Sequence, residues 1–236
     1  MKKRIIKIII FVLIAGGFFI FIHNDYVRYK NSDAYKFKVE YENLNGEKSK
    51  TGSEIRSVTI SKKNRMKYAT AEEIVKKIDN NESFVVYFGF ASCPWCRSMI
   101  ENLIDLSIDE EVDVYYVDVL NIRDTIELVD GEVKKTKEGT KGYMDLLDRL
   151  SSVLSDYSLK DKDGNDVDTK EKRIYAPNVV AVVNGLPTKL VEGVSSKLTD
   201  PYSNITEEMN KDSIDQLKCI FKCLKENNVC KKEKAC

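Results

Sequence analysis

Residues 84–97 read FVVYFGFASCPWCR, and this stretch decides the fold. Its first part, from Phe84 to Phe88, is rich in β-branched and aromatic residues, as a buried central strand is, and Gly89 ends the run. Apolar residues then recur at helical spacing, at Met99, Ile100, Leu103, Ile104 and Leu106. The stretch therefore predicts a buried strand, a short turn and a helix that starts with a Cys-x-x-Cys pair.

The predicted helix start gives the two cysteines different chemistry. Pro94 fits an early helical position, because its missing N–H costs nothing there. Free N–H groups and the helix dipole stabilise an anion at this end, so the pKa of Cys93 should be lowered and Cys93 should be the nucleophile. Cys96 lies one turn inside the helix and is predicted to resolve a mixed disulfide.

Two other interpretations of the pair stay open. A structural disulfide would satisfy the spacing, although closing a two-residue loop gives little entropic stabilisation. Half of a zinc site would satisfy it too, although Pro-Trp between the ligands after a buried strand is unusual. A Cys-x-x-Cys pair beside a β–α pattern is more typical of redox chemistry, with Cys93 and Cys96 as the catalytic residues.

The N-terminal segment predicts a membrane anchor. Residues 5–22 are apolar apart from Lys7, which is near the length that a helix needs to cross a bilayer. Residues 1–4 are a basic cytoplasmic stub, so we expect a single-pass protein of the cell membrane, with its N-terminus in the cytoplasm and its catalytic domain extracellular. A cleaved signal peptide is the alternative, but no clear small-x-small cleavage site follows the run.

The composition argues against some classes of function. Lysine and arginine together number 38, as do aspartate and glutamate, so the net charge is zero and nothing suggests nucleic-acid binding. His23 is the only histidine and lies at the membrane boundary, which excludes a cysteine hydrolase that depends on histidine. No cofactor and no metal are predicted.

Shorter patterns divide the rest of the chain. Residues 23–65 form a tether and extension, in which residues 35–41 alternate as an edge strand does and residues 57–60 predict a second short strand. Thr70 and Glu73 form a capping box for a helix that runs to about Ile78. The remaining expected elements are a strand at 112–119 parallel to the first, a charged loop at 121–139, a helix over 143–154, a turn at 161–165, a strand at 177–185 with an antiparallel partner at 188–193, and a final helix after Thr206.

Two motifs in this element order carry a family resemblance. They are Cys93-Pro94-Trp95-Cys96 and Tyr175-Ala176-Pro177-Asn178, the second followed by a valine-rich strand. Across residues 66–226 the chain resembles the thioredoxin superfamily, and in particular the membrane-anchored, outward-facing thioredoxin-like proteins of Gram-positive bacteria, including bacteriocin-transport accessory proteins. The resemblance implies an α/β thioredoxin-like fold, with a central mixed sheet flanked by helices and an insertion at 121–174. It also implies that Pro177 is cis against the cysteine pair and that Ala176 offers backbone groups to an extended substrate.

Several side chains near the pair bear on its chemistry. The family's buried Asp and its Lys fall by spacing at Tyr87 and Tyr116, so its water-mediated proton relay is expected to be missing. Trp95 is expected as an exposed lip for substrate contact, although it could simply pack on the loop. Arg97 is expected to be solvated, with stabilisation of the Cys93 thiolate as the alternative.

A second group of cysteines closes the chain. Cys219 and Cys223 are four residues apart and share one face of the last helix, while Cys230 and Cys236 follow in a tail at 227–236. Structural disulfides are predicted, and a chain that turns back could join Cys223 to Cys230 and Cys219 to Cys236. A zinc site and a second redox pair are the alternatives, and the connectivity cannot be deduced from the sequence.

These observations predict a membrane-anchored thiol–disulfide oxidoreductase that acts on protein or peptide thiols and disulfides, with a membrane electron-transfer partner. Oxidant, isomerase and reductase share one fold and differ in reduction potential, and the exterior location favours disulfide formation or rearrangement. The main alternative is a non-catalytic accessory module that serves a transporter or a secreted peptide, and a redox sensor is a third hypothesis.

Overall fold

The computed structural model describes residues 22–49 and 52–226, which form a mixed α/β arrangement. Residues 22–30 are helical. The elements that follow are α1 (Asp33–Glu42), β1 (Met66–Tyr68), α2 (Ala71–Asp79), β2 (Phe84–Gly89), α3 (Pro94–Asp109), β3 (Val114–Asp118), β4 (Thr125–Val129), β5 (Glu132–Lys137), α4 (Lys141–Leu150), β6 (Asp156–Lys160), β7 (Asp166–Lys172), β8 (Asn178–Val183), β9 (Leu186–Val191) and α5 (Glu207–Lys225).

A five-stranded mixed sheet forms the centre, with the strand order β1-β3-β2-β8-β9. Strands β1, β3 and β2 run parallel, whereas β8 is antiparallel to β2 and β9 is antiparallel to β8. In this register Tyr87 lies between Tyr116 of β3 and Val179 of β8. The predicted parallel pair around the cysteine-bearing helix and the predicted hairpin after Pro177 are confirmed.

Helices cover both faces of the sheet, and this explains the apolar runs in the sequence. Helices α1, α3 and α5 pack on the face that presents Val85 and Tyr87. Helices α2 and α4 pack on the opposite face, which presents Val86 and Phe88. Because neither face meets water, all residues of β2 and β8 are buried, and both strands read as continuous rather than alternating apolar sequence.

Local signals fix several element boundaries. The Thr70–Glu73 capping box is present at the start of α2, as predicted. Asn184 and Gly185 both have positive φ, 50° and 74°, which suits the two-residue turn between β8 and β9. Thr206 caps α5 by accepting a hydrogen bond from the N–H of Met209, which confirms the predicted helix start.

The predicted edge strand at residues 35–41 is wrong, because this segment lies inside α1. Ser32 caps the helix by accepting a hydrogen bond from the N–H of Tyr35. Phe37 and Tyr41 are four residues apart, so they lie on one face of the helix, where both are fully buried and their rings stack at 4.5 Å. The same residues fit a strand period of two, and the pattern alone does not separate the two structures.

The predicted strand at residues 57–60 is also wrong, although its alternation describes the burial. Val58 and Ile60 are buried, but no neighbouring strand pairs with them. Their main-chain groups bind side chains instead. The N–H and carbonyl of Val58 bind the amide of Asn45, and the N–H of Ile60 donates to the carboxylate of Glu42. The segment is therefore extended chain held by polar side chains from the end of α1 and from the turn that follows it.

The insertion between β3 and β8 is more ordered than expected. The predicted loop at 121–139 is wrong, because it contains the β4–β5 hairpin, which turns at Asp130-Gly131 with φ values of 56° and 82°. The turn at 161–165 is confirmed and joins β6 to β7. Helix α4 ends at Leu150, short of the predicted 154.

The predicted membrane anchor at 5–22 lies outside the described residues except for Ile22. Over residues 22–49 and 52–226, none of the helices has the length and apolar character needed to cross a membrane.

Candidate active site at the cysteine pair

Cys93 closes the first turn of α3. It is the N-cap residue, and Pro94 follows inside the helix, as predicted. The Cys93 Sγ atom accepts a hydrogen bond from the N–H of Cys96 at 3.3 Å, in place of the oxygen that a Ser or Asp cap would offer. Its thiol also donates to the carbonyl oxygen of Ala176 at 3.3 Å. Only 3% of Cys93 is exposed, so the turn at Ala176 covers the sulfur.

The two cysteines have opposite pKa shifts. The hydrogen bond to the Cys96 side chain is the main cause that lowers the pKa of Cys93, and the N–H groups of Cys96 and Trp95 and the charge of Arg123 lower it further, against the effect of burial. The pKa of Cys96 is raised well above that of an ordinary thiol, mainly by burial and further by the neighbouring Cys93. The arrangement therefore favours a thiolate at Cys93 and a protonated Cys96, which is the direction that the helix start predicts.

The turn that precedes β8 lies against this pair. The Ala176–Pro177 peptide bond is cis, which is the geometry that the resemblance implies. Asn178 holds the turn, because its side-chain oxygen accepts the N–H of Tyr175 at 2.7 Å and its amide donates to the Pro177 carbonyl at 3.0 Å. The structure thus brings the two cysteines, Ala176 and Pro177 together, although they are about 80 residues apart in the chain.

Trp95 and Arg97, which lie next to Cys96 in the chain, differ in burial and in what they contact. Trp95 is half-buried and packs against the apolar cluster around the cysteines, which fits the packing alternative and leaves part of its ring exposed. The expectation that Arg97 is solvated is wrong, because this residue is 1% exposed. Its guanidinium instead donates to main-chain carbonyls, among them those of Tyr41 and Ala91.

A pair of buried tyrosine hydroxyls stands behind Cys96. The hydroxyl of Tyr87 hydrogen-bonds the Cys96 side chain and lowers the pKa of that thiol, which opposes the effect of burial. The Tyr87 Oη atom is also 2.8 Å from the Tyr41 Oη atom, and both side chains are fully buried. A Cβ atom at Gly89 would overlap the Tyr87 hydroxyl, so glycine at the end of β2 gives this group its room. Tyr87 therefore places a hydroxyl hydrogen-bond donor beside Cys96, at the position where the resemblance to thioredoxins would predict an Asp.

Replacing Tyr87 by phenylalanine is expected to raise the pKa of Cys96 further. A hydrogen bond to a charged group is worth about 1.5–3 kcal/mol, so the attack of Cys96 on a disulfide at Cys93 should slow roughly tenfold or more. Cys93 is first allowed to react with a chromogenic disulfide, which leaves thionitrobenzoate bound to it. The rate at which thionitrobenzoate is then released from Cys93 is measured as a function of pH. The rate profile of the variant should move to higher pH.

Tyr116→Phe is the matched control for that experiment. The ring of Tyr116 stacks on Tyr87 with centroids 5.5 Å apart, but its hydroxyl donates to Glu40 at 2.9 Å. Tyr116→Phe should therefore leave the pH profile of thionitrobenzoate release unchanged. Equal profiles for Tyr87→Phe and the unmodified protein would show that the Tyr87 hydroxyl does not act on Cys96.

Two cysteines of the second group, Cys219 and Cys223, lie within the described residues. On α5, Cys223 is buried and disulfide-bonded, and Cys219 is half-buried with its thiol 3.4 Å from the carbonyl oxygen of Asp215. Cys230 and Cys236 lie outside the described residues. The predicted pairing of the four therefore stays a prediction.

Two residues near the site were missed from the sequence, Tyr41 and Arg123. Tyr41 reaches the site from α1, across 46 positions of the chain, and Arg123 reaches it from the insertion. The Arg123 guanidinium lies over the ring of Phe90 at 5.4 Å. No local pattern marks either residue, because their roles depend on how distant segments pack.

No protein-family model matches this sequence, and no curated protein matches it at a significant level.

Proposed function

We propose that this chain is a thiol–disulfide oxidoreductase of thioredoxin-like fold, which acts on protein or peptide substrates through Cys93 and Cys96. The observation that carries the proposal is the placement of the Cys93 sulfur. It caps α3 and lies 3.3 Å from the carbonyl of Ala176, next to a cis proline. A lowered pKa at the helix start and a raised pKa one turn inside suit a nucleophile and a resolving thiol.

The proposed reaction is two successive exchanges. The Cys93 thiolate attacks a substrate disulfide, which forms a mixed disulfide and releases one substrate thiolate. Cys96 then gives up its proton and attacks the Cys93 sulfur, which releases the second substrate thiolate and leaves a Cys93–Cys96 disulfide. Two electrons pass from the cysteine pair to the substrate. The reverse sequence oxidises a substrate dithiol and returns the pair to its reduced form.

The direction favoured by the site is oxidation or rearrangement. Groups that stabilise the Cys93 thiolate stabilise the reduced pair, and so raise its reduction potential. The proposal also includes anchoring by residues 5–22 with the catalytic domain outside the cell, and a membrane partner that exchanges electrons with the pair. These parts depend on the sequence pattern of the N-terminal segment.

The test is the reduction potential of the pair in the full chain, equilibrated in thiol–disulfide buffers and read by alkylation and mass spectrometry. A value between about −120 and −180 mV would support an oxidant or isomerase, and a value near about −270 mV would make the protein a reductase. A pair that never exchanges would overturn the proposal. That outcome would favour the accessory module, which the small exposed fraction of Cys93, 3%, also fits.

A further inference from the structure

A pocket beside the cis-proline turn lies outside the cysteine pair itself. Its cavity has a volume of about 260 Å³. Five of the residues that line it define what we call the arginine pocket: Arg123, Asp124, Tyr157, Arg173 and Tyr175. Arg173 and Tyr175 belong to the segment that leads from β7 into Ala176 and Pro177. Tyr175 directly precedes Ala176, so the pocket lies beside the turn that covers Cys93. Arg123, which also lines the pocket, lowers the pKa of Cys93 through its charge.

One wall of the arginine pocket holds a buried guanidinium with an unused donor. Arg173 is 8% exposed. Its Nη2 atom donates to the main-chain oxygen of Asp124 at 2.6 Å and lies 3.2 Å from the Asp124 carboxylate. Its Nη1 atom is buried and has no hydrogen-bond partner among the described residues, and the same is true of the Oδ1 atom of Asp124. A buried donor without a partner costs free energy, so a group that accepts a hydrogen bond from Nη1 would be bound favourably.

The charge of the arginine pocket favours an anion. Arg123 and Arg173 line it together with one carboxylate, that of Asp124, so the charged side chains of the lining leave one net positive charge. The Arg173 guanidinium is held in place by the ring of Tyr157, 4.8 Å away. The unused Nη1 donor of this positioned guanidinium suits a carboxylate, one oxygen of which would accept a charge-assisted hydrogen bond.

We propose that the arginine pocket binds the carboxylate of an aspartate or glutamate that lies close to the reactive cysteine in the substrate chain. The inference rests on the proposed function, since it places a substrate chain along the turn at Ala176. A substrate cysteine that reaches the Cys93 sulfur brings its flanking residues past Tyr175 and into reach of Arg123 and Arg173. The arginine pocket thus selects substrates in which an acidic residue, rather than a neutral or basic one, flanks the reactive cysteine.

The test uses the full chain and peptide disulfides that differ at one position near the cysteine, placed in turn on each side. Each peptide carries glutamate, glutamine or lysine there. A charge-assisted hydrogen bond predicts that the glutamate peptide reacts roughly tenfold faster in kcat/KM than the glutamine peptide at its best position, with lysine slowest. In Arg173→Met this preference should disappear, so that the glutamate and glutamine peptides react at equal rates.

The outcomes separate this inference from the proposed function. If no peptide reacts, the proposed function fails. If all three react at equal rates at every position in the unmodified protein, the function stands and the arginine pocket is not an acidic subsite. That second result needs no variant, so it holds even if Arg173→Met leaves Asp124 buried without a charge partner and fails to fold. Arg149→Met, which changes an exposed arginine on α4, should keep the preference.

Discussion

Replacing Cys93 by serine is expected to lower the rate of disulfide exchange by at least roughly a thousandfold, whereas replacing Cys96 should trap the protein on its substrate. The physical reason is the difference between the two thiols. Cys93 has the lowered pKa, so we expect it to supply the attacking thiolate. Cys96 is fully buried and its pKa is raised, so we expect it to react only with a disulfide that Cys93 has formed.

The measurement is mass spectrometry of each variant after reaction with a peptide disulfide. Cys96→Ser should accumulate a peptide adduct on Cys93, and Cys93→Ser should form none. The double variant is the control for the cysteines of α5 and the tail, and it should also remain unmodified. An adduct on Cys96 in the Cys93→Ser protein would reverse the assigned roles.

The pH dependence of alkylation gives a second measurement on the same variants. Because the pKa of Cys93 is lowered, the Cys96→Ser protein should react with iodoacetamide at pH values below those at which an ordinary cysteine ionises. The hydrogen bond to the Cys96 thiol is the first cause of that shift, and serine keeps a donor there, so part of it should remain. Cys93→Ser should need strongly alkaline pH for alkylation of Cys96.

The sequence predicted best those parts of the fold that local signals specify. The run from Phe84 to Phe88 ends at a glycine and is followed by a proline at a helix start. Each of these features is typical of a single kind of local structure. The Thr70–Glu73 capping box is a second such signal. For this reason the strand, the turn and the helix that hold the cysteines were predicted correctly.

The errors fall where one pattern fits two structures or where the signal is weak. Phe37 and Tyr41 fit both a strand period and a helical step of four, and Ser32 is the signal that could have decided between them. Strands β5 and β7 are mostly polar because they lie outside the main sheet and are exposed along most of their length. For the β4–β5 hairpin, the dipeptide Asp130-Gly131 was the turn signal in the sequence.

Arg97 shows a third kind of error, since its environment comes entirely from distant segments. Its Nη1 atom donates to the carbonyls of Tyr41 and Ala91 at 2.9 and 3.1 Å. Its Nε and Nη2 atoms bind the carbonyl of Arg56 and the side chain of Asn45 at 2.5 and 2.6 Å. This one guanidinium therefore ties α1 and the extended segment after it to the loop just before Cys93.

Arg97→Met is expected to lower the free energy of unfolding by about 3–5 kcal/mol, because it removes the four hydrogen bonds that this buried guanidinium donates. At roughly 2–4 °C per kcal/mol for a chain of this size, the melting temperature should fall by about 10 °C. Thermal unfolding followed by circular dichroism measures the change. Arg97→Lys should lose less, since an ammonium group keeps the charge and can still donate to some of these oxygens.

The matched control is Arg149→Met, because Arg149 pairs with Asp79 at 2.8 Å on the surface, where both side chains are partly exposed. Such pairs contribute little, so its melting temperature should stay near that of the unmodified protein. If the two methionine variants melt together, Arg97 does not hold the N-terminal extension against the core. If only Arg97→Met is destabilised, α1 and its residue Tyr41 should be less firmly packed. Because the Tyr41 hydroxyl hydrogen-bonds the Tyr87 hydroxyl, the release of thionitrobenzoate from Cys93 should then show a pH profile closer to that of Tyr87→Phe.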